Sequence, residues 1–284
     1  MAIAPETKVG PVRLAVADGP EVRSFYERVV GLREIDVDGD VARLGGDETV
    51  VELAAEPATP PRPPSTTGLF HLAILVPDRA ELARSLRRVV EAGWPLAGAS
   101  DHLVSEALYL ADPEGNGIEI YRDRPREEWR RSNGELEMAT LPLDLRSLLA
   151  EAPEGEALPA AVSPQTRLGH VHLQVSELTA AEEFYAGVLG FEVTVRGYPG
   201  ALFVSAGGYH HHIGLNTWAG AGAPTPPPGS RGLRWFEIVV PDADELRRVE
   251  GSLRDAGADV AVDGGRPLTA DPSGNGILIR AASG

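Results

Sequence analysis

Alternating Val12, Leu14 and Val16 mark the first strand of this chain, and further apolar-rich strands are predicted at 41–44, 49–53 and 70–76. Apolar positions recurring with helical period predict helices over 21–30, closed by Gly31, over roughly 80–92 with Gly93 as its C-cap, and near 180–189. A short helix is expected at 143–150. Pro-rich breaks fall at 56–67, which holds five prolines, and at 219–230. The most informative stretch is 101–121, where Tyr109 sits between Leu108 and Leu110 and Glu119 between Ile118 and Ile120. Alternation turns both polar side chains to one face, and the intervening Asp112-Pro113-Glu114-Gly115-Asn116-Gly117 has the residues of a tight turn.

Cutting the chain at its Pro-rich breaks exposes four copies of one pattern, strand, helix, then two or three strands, over 9–55, 68–121, 167–218 and 232–280. Ser24-Phe25-Tyr26 through Val30-Gly31-Leu32 answers Glu183-Phe184-Tyr185 through Leu189-Gly190-Phe191. Val76-Pro77-Asp78 answers Val240-Pro241-Asp242, and Asp112-Pro113 with Gly115-Asn116-Gly117-Ile118 answers Asp271-Pro272 with Gly274-Asn275-Gly276-Ile277. The organisation predicted is an N-terminal domain over 1–125, a connecting segment over 126–166 and a C-terminal domain over 167–284.

Composition narrows the chemistry. With no cysteine, disulfides, thiolate metal sites and a thiol nucleophile are excluded, so a metal here must use histidine and carboxylate. A formal net charge of −16 argues against nucleic acid and anionic membranes, and no run approaches the length of a membrane span. The N-terminus lacks the pattern of a secretory signal, and a cytoplasmic protein is expected. Arg122, Arg124, Arg126, Arg130 and Arg131, interleaved with acids, read as a solvated face.

Seven histidines can be weighed one by one. His71 stands five residues before Val76, and His170 five before Val175, so both hold the same place on the first strand of their repeats. One such histidine is usually a core residue with a satisfied hydrogen bond; two at the same repeat position weaken that reading. His172 shares the face of His170. The other repeats place Pro11 and Trp235 there, and Leu278 at the position of Glu119, whereas the first repeat has Glu52. Two imidazoles and a carboxylate, from His71, His170 and Glu119, suit Fe(II), Mn(II) or Zn(II) and leave coordination positions open.

These signatures resemble the vicinal oxygen chelate superfamily, specifically its two-domain catechol 2,3-dioxygenase-like, or extradiol, members. The resemblance covers nearly the whole chain apart from 122–167 and the Pro-rich loops. It implies an α+β fold: four βαβββ units forming two glyoxalase/extradiol-dioxygenase-type domains with curled mixed sheets. It also implies an Fe(II)-dependent enzyme, with Mn(II) as the alternative metal, that opens a catechol-type aromatic diol with O₂. By the same resemblance the metal ligands fall on His71, Glu119 and His170, and catalytic roles on His102, Tyr109 and one member of the triplet His210-His211-His212. Strand parity, with Ile213 and Leu215 packed outward, turns His210 and His212 toward the pocket, and of the two His212 is taken as the acid–base group. The family's usual ligands come from its third and fourth repeats, whereas Trp235 and Leu278 replace them here. The expected partners are therefore a small aromatic diol and O₂, with no nucleic acid and no membrane; a homo-oligomer is compatible with the sequence. Two rival readings remain: a glyoxalase-like isomerase or lyase, which Glu52 keeps open, and a metal-free protein of the same fold that binds an aromatic drug.

Overall fold

Each repeat folds as a strand, a helix and three strands. The first comprises β1 (Lys8–Val16), α1 (Gly19–Phe25), β2 (Arg33–Asp38), β3 (Val41–Gly45) and β4 (Thr49–Ala55); the second comprises β5 (Gly68–Leu75), α2 (Arg79–Glu91), β6 (Gly98–Asp101), β7 (Ser105–Ala111) and β8 (Gly117–Asp123). Three two-residue strands follow, β9 (Arg131–Ser132), β10 (Glu135–Leu136) and β11 (Leu141–Pro142), with the short helix α3 (Leu145–Leu149). The third repeat is β12 (Arg167–Gln174), α4 (Leu178–Glu182), β13 (Glu192–Val195), β14 (Ala201–Ser205) and β15 (Ile213–Asn216). The fourth is β16 (Gly232–Val240), α5 (Ala243–Asp255), β17 (Ala261–Asp263), β18 (Arg266–Ala270) and β19 (Gly276–Ala281). This computed structural model describes every residue except Asn133, Pro153, Glu154, Glu156, Ser283 and Gly284.

The recurring sequence signatures have local physical causes. Asp78 and Asp242, which end the two Val-Pro-Asp motifs, are N-caps: Asp78 accepts from the backbone N–H of Glu81 at 2.8 Å, and Asp242 from those of Asp244 and Glu245 at 2.9 Å. Asp112 folds the second repeat's turn by accepting from the backbone N–H groups of Glu114 and Asn116 at 2.9 Å and from Asn116 Nδ2 at 2.8 Å. Asp271 does the same with Ser273 and Asn275, and Gly115 and Gly274 supply the left-handed residues at φ 85° and 82°. The Phe-Tyr motifs mark where a helix widens: α1 passes into a π-helical turn at Tyr26–Val30 and α4 into one at Glu183–Val188. Both turns end at left-handed glycines, Gly31 at φ 89° and Gly190 at φ 93°.

The chain divides into two compact units: Met1–Leu14 with Pro60–Phe70 and Gly169–Gly284, and Ala15–Thr59 with His71–Leu168. They interleave along the chain, whereas 1–125 and 167–284 are a division by sequence repeats. In the first unit β12 runs parallel to β15, and β16 parallel to β19, with β13–β14–β15 and β17–β18–β19 antiparallel. The second unit repeats the pattern: β5 is parallel to β8, and β6–β7–β8 and β2–β3–β4 are antiparallel. Parallel first and last strands require a crossover, which each repeat's helix provides. Leu72, Ile74, Leu108, Ile118 and Ile120 are buried on the alternating face, so the opposite face is free to carry chemistry.

The strand β2 escaped the sequence pattern, as did the two-residue strands β9, β10 and β11. All six residues of β2 are exposed, including Ile35 and Val37, so no buried face marks it. Arg122 and Arg124 are not a solvated face either. Both pair with the buried Glu106, and Arg124 also pairs with Asp101.

Candidate metal centre

In the second unit the register of β5 against β8 sets Gly117 opposite His71 and Ala73 opposite Glu119. Each large polar side chain thus faces a small residue across the ladder and has room to turn toward its diagonal neighbour. His71 Nε2 lies 3.0 Å from Glu119 Oε2, and both side chains are buried. Tyr109 on β7 is the direct partner of Glu119 on β8, which places the phenol beside the pair, its ring centroid 5.7 Å from that of His71. Ala73, Leu75, Ala107 and Tyr121 close the same face with apolar surface.

His102 completes this side of the face. Its Nε2 is 2.6 Å from the Tyr109 hydroxyl and its Nδ1 is 2.7 Å from the Ala139 carbonyl. Behind it, Leu103 is the one non-glycine residue with positive φ among the described residues, at 69°, held there by its N–H donating to Asp101 Oδ1 at 2.9 Å. Asp112, at the turn that leads into β8, has its pKa pushed up to about 6 by burial, against the lowering effect of its hydrogen bonds.

In the first unit His170 and His172 are buried on β12. The imidazole of His211 lies against that of His170, with centroids 4.1 Å apart; that of His210 is at 5.9 Å. His210 and His211 approach through their Nδ1 atoms at 2.7 Å. His212 is turned elsewhere: its Nδ1 accepts the Ala206 N–H at 3.1 Å and lies 3.3 Å from Ser205 Oγ. His210, His211 and His212 all precede β15, which begins at Ile213, so strand parity does not choose among them. His172 meets Phe70 and Phe203 edge-on, centroids 5.3 and 5.6 Å away, and Trp218 at a tilt, 5.3 Å away; Phe203 continues the aromatic contact to His211 at 4.9 Å.

His71 and Glu119 in the second unit, and His170 in the first, are all buried, and each can offer one ligand atom to a metal ion. The donor set fits a first-row divalent cation: an imidazole and a carboxylate brought to 3.0 Å away from water are mutually compatible only with a proton or a cation to share. Glu52, by contrast, is ion-paired with Arg43 at 3.3 Å.

The family model for the Glyoxalase/Bleomycin resistance protein/Dioxygenase superfamily matches residues 8–120 and 167–278. The chain belongs to this superfamily. Among curated proteins it is 44% identical over 258 residues to the catechol-2,3-dioxygenase of Bacillus subtilis, covering 89% of each chain. It is also 31% identical over 119 residues to biphenyl-2,3-diol 1,2-dioxygenase 3 of Rhodococcus globerulus, covering 40% of this chain and 62% of that protein. Among solved structures, glyoxalase I from Zea mays aligns with TM-score 0.59 at 15% identity over 96% of this chain and 92% of that one, a likeness of fold. The α+β fold of four βαβββ repeats is the one the resemblance implied.

Proposed function

We propose that this protein is an Fe(II)-dependent extradiol dioxygenase that cleaves a catechol-type aromatic diol with O₂, its metal held by His71, Glu119 and His170. The observation that carries the reading is the buried His71–Glu119 pair with Tyr109 in register beside it. Support comes from the relative named catechol-2,3-dioxygenase, similar over 89% of both chains. When bound, Fe(II) would supply the redox chemistry toward O₂ that side chains lack, and two imidazoles with one carboxylate leave positions on it for a diol and O₂.

The protein's own groups have separate tasks. Tyr109 would fix a diol oxygen by a hydrogen bond, with His102 holding the phenol in place from behind. The triplet would supply the acid–base group that takes a proton from the diol. Parity chose His212, but the contact of His211 with His170 and the engagement of His212 by Ala206 favour His211 for that task. Manganese is the alternative metal. The glyoxalase-like reading loses its main support because Glu52 is engaged by Arg43. With a net charge of −16 we assign no nucleic-acid or membrane partner, and we propose a cytoplasmic location; among the described residues no helix is long and apolar enough to cross a membrane.

The test is anaerobic purification with metal analysis, then a panel of catechols. Stoichiometric iron and a yellow ring-opened product are expected. Turnover of a hemithioacetal with Ni(II), and none of a catechol, would replace this reading by the glyoxalase one.

A further inference from the structure

We infer that the segment between the second and third repeats is a working part of the site: through the Ala139 carbonyl it fixes His102 as the Nδ1–H tautomer and so decides which way the Tyr109 hydroxyl points its proton. A backbone carbonyl can only accept, so the 2.7 Å contact requires the proton of the neutral imidazole to be on Nδ1. Nε2 is then an acceptor, and at 2.6 Å the only proton available for that bond is the phenol's. Tyr109 therefore donates to His102, and its oxygen keeps lone pairs for a partner. On the dioxygenase reading, on which this consequence rests, Tyr109 receives a hydrogen bond from a diol hydroxyl that still carries its proton. It does not donate to a deprotonated oxygen.

The surroundings are built to hold this arrangement. β11 pairs with β6, with Leu141 opposite Asp101, so the segment is laced to the strand that ends next to His102. Trp129 Nε1 donates to the Arg124 carbonyl at 3.0 Å, the Glu137 N–H donates to the Arg130 carbonyl at 2.8 Å, and Leu136 is buried. At the histidine itself the His102 N–H donates to the Ser105 carbonyl at 2.8 Å, and Leu103 accepts a left-handed conformation that glycine would adopt more cheaply. A strained corner on one side and a laced segment on the other leave the imidazole one orientation. Ala139 is thus a positioning residue that acts through its main chain, and the sequence gives no sign of it.

The test is nitrogen NMR of the full-length chain with ¹⁵N-labelled histidine and ¹³C-carbonyl-labelled alanine, with and without added Zn(II), His102 being assigned by the signals lost in His102→Asn. A protonated Nδ1 and an unprotonated Nε2 are expected in the wild type. The same tautomer is expected in Tyr109→Phe, because the carbonyl sets it and not the phenol. The Ala139 carbonyl resonance should shift in His102→Phe, which removes its donor. An Nε2–H tautomer in the wild type, a mixture of tautomers in Tyr109→Phe, or an unmoved Ala139 carbonyl would overturn the inference. None of these readouts depends on turnover, so they stand apart from the fate of the dioxygenase reading.

Discussion

His71 Nε2 and Glu119 Oε2 stand 3.0 Å apart on parallel neighbouring strands, both shielded from water. The register explains how: each faces a residue no larger than alanine, so the two long side chains fill the space that Gly117 and Ala73 leave. Such a pair is costly to bury with nothing between its lone pairs and favourable once a cation is shared. It is the local feature on which the metal assignment turns.

Glu119→Ala, His71→Ala and His170→Ala should each lower iron content in the purified protein. The loss should exceed the roughly 10–100-fold drop in metal affinity typical of changing an outer partner of a ligand. The fold should persist, because the apolar positions of β5, β8 and β12 are untouched. Metal analysis together with circular dichroism checks both halves of this expectation.

The histidine triplet can be resolved by comparing two variants. His211→Ala should retain iron and bind a catechol while slowing turnover by about 10²–10⁴-fold, the scale of a lost proton-transfer group. His212→Ala, which removes an acceptor from the Ala206 N–H, should cost stability more than rate. A reversed ranking in steady-state kinetics would return the role to His212.

Gly214 is a packing requirement of His172. A Cβ at Gly214 would fall 2.9 Å from Cγ of His172, which is its direct partner across β12 and β15. Gly214→Ala should therefore destabilise the protein by about 1–3 kcal/mol, the usual cost of overpacking a filled interior, and lower its thermal midpoint.

Asp112 should give the pH dependence of stability a recognisable component. Burial raises its pKa from the ordinary 3.8 to about 6 in the folded chain, so the folded state holds the proton more tightly than the unfolded one. Its contribution is fully present below pH ~4 and is lost as pH rises through about 6, a change of roughly 3 kcal/mol at 1.36 kcal/mol per unit. Denaturant titrations of the wild type and Asp112→Asn from pH 4 to 7 should show the wild type losing ground relative to the variant across that window.

Much of this was legible because repeats compare a sequence with itself. The Val-Pro-Asp cap, the Asp-Pro-x-Gly-Asn turn and the histidine on the first strand each had a second copy that argued against chance. What was hidden depended on groups without a pattern. β2 buries no face, so alternation had nothing to report. Arg122 and Arg124 look solvated until Glu106, on the neighbouring strand, is seen to hold them. At His210-His211-His212 parity had no strand to act on, because those residues precede β15. Ala139 acts through a carbonyl, which every residue has.

Oxygen uptake is the most direct measurement of the central claim. Anaerobically iron-loaded wild type, given a catechol and then air-saturated buffer, should consume one O₂ per diol lost, and Glu119→Ala should consume none above background. Stoichiometric iron in a wild-type protein that binds catechols yet takes up no oxygen with any of them would contradict the account.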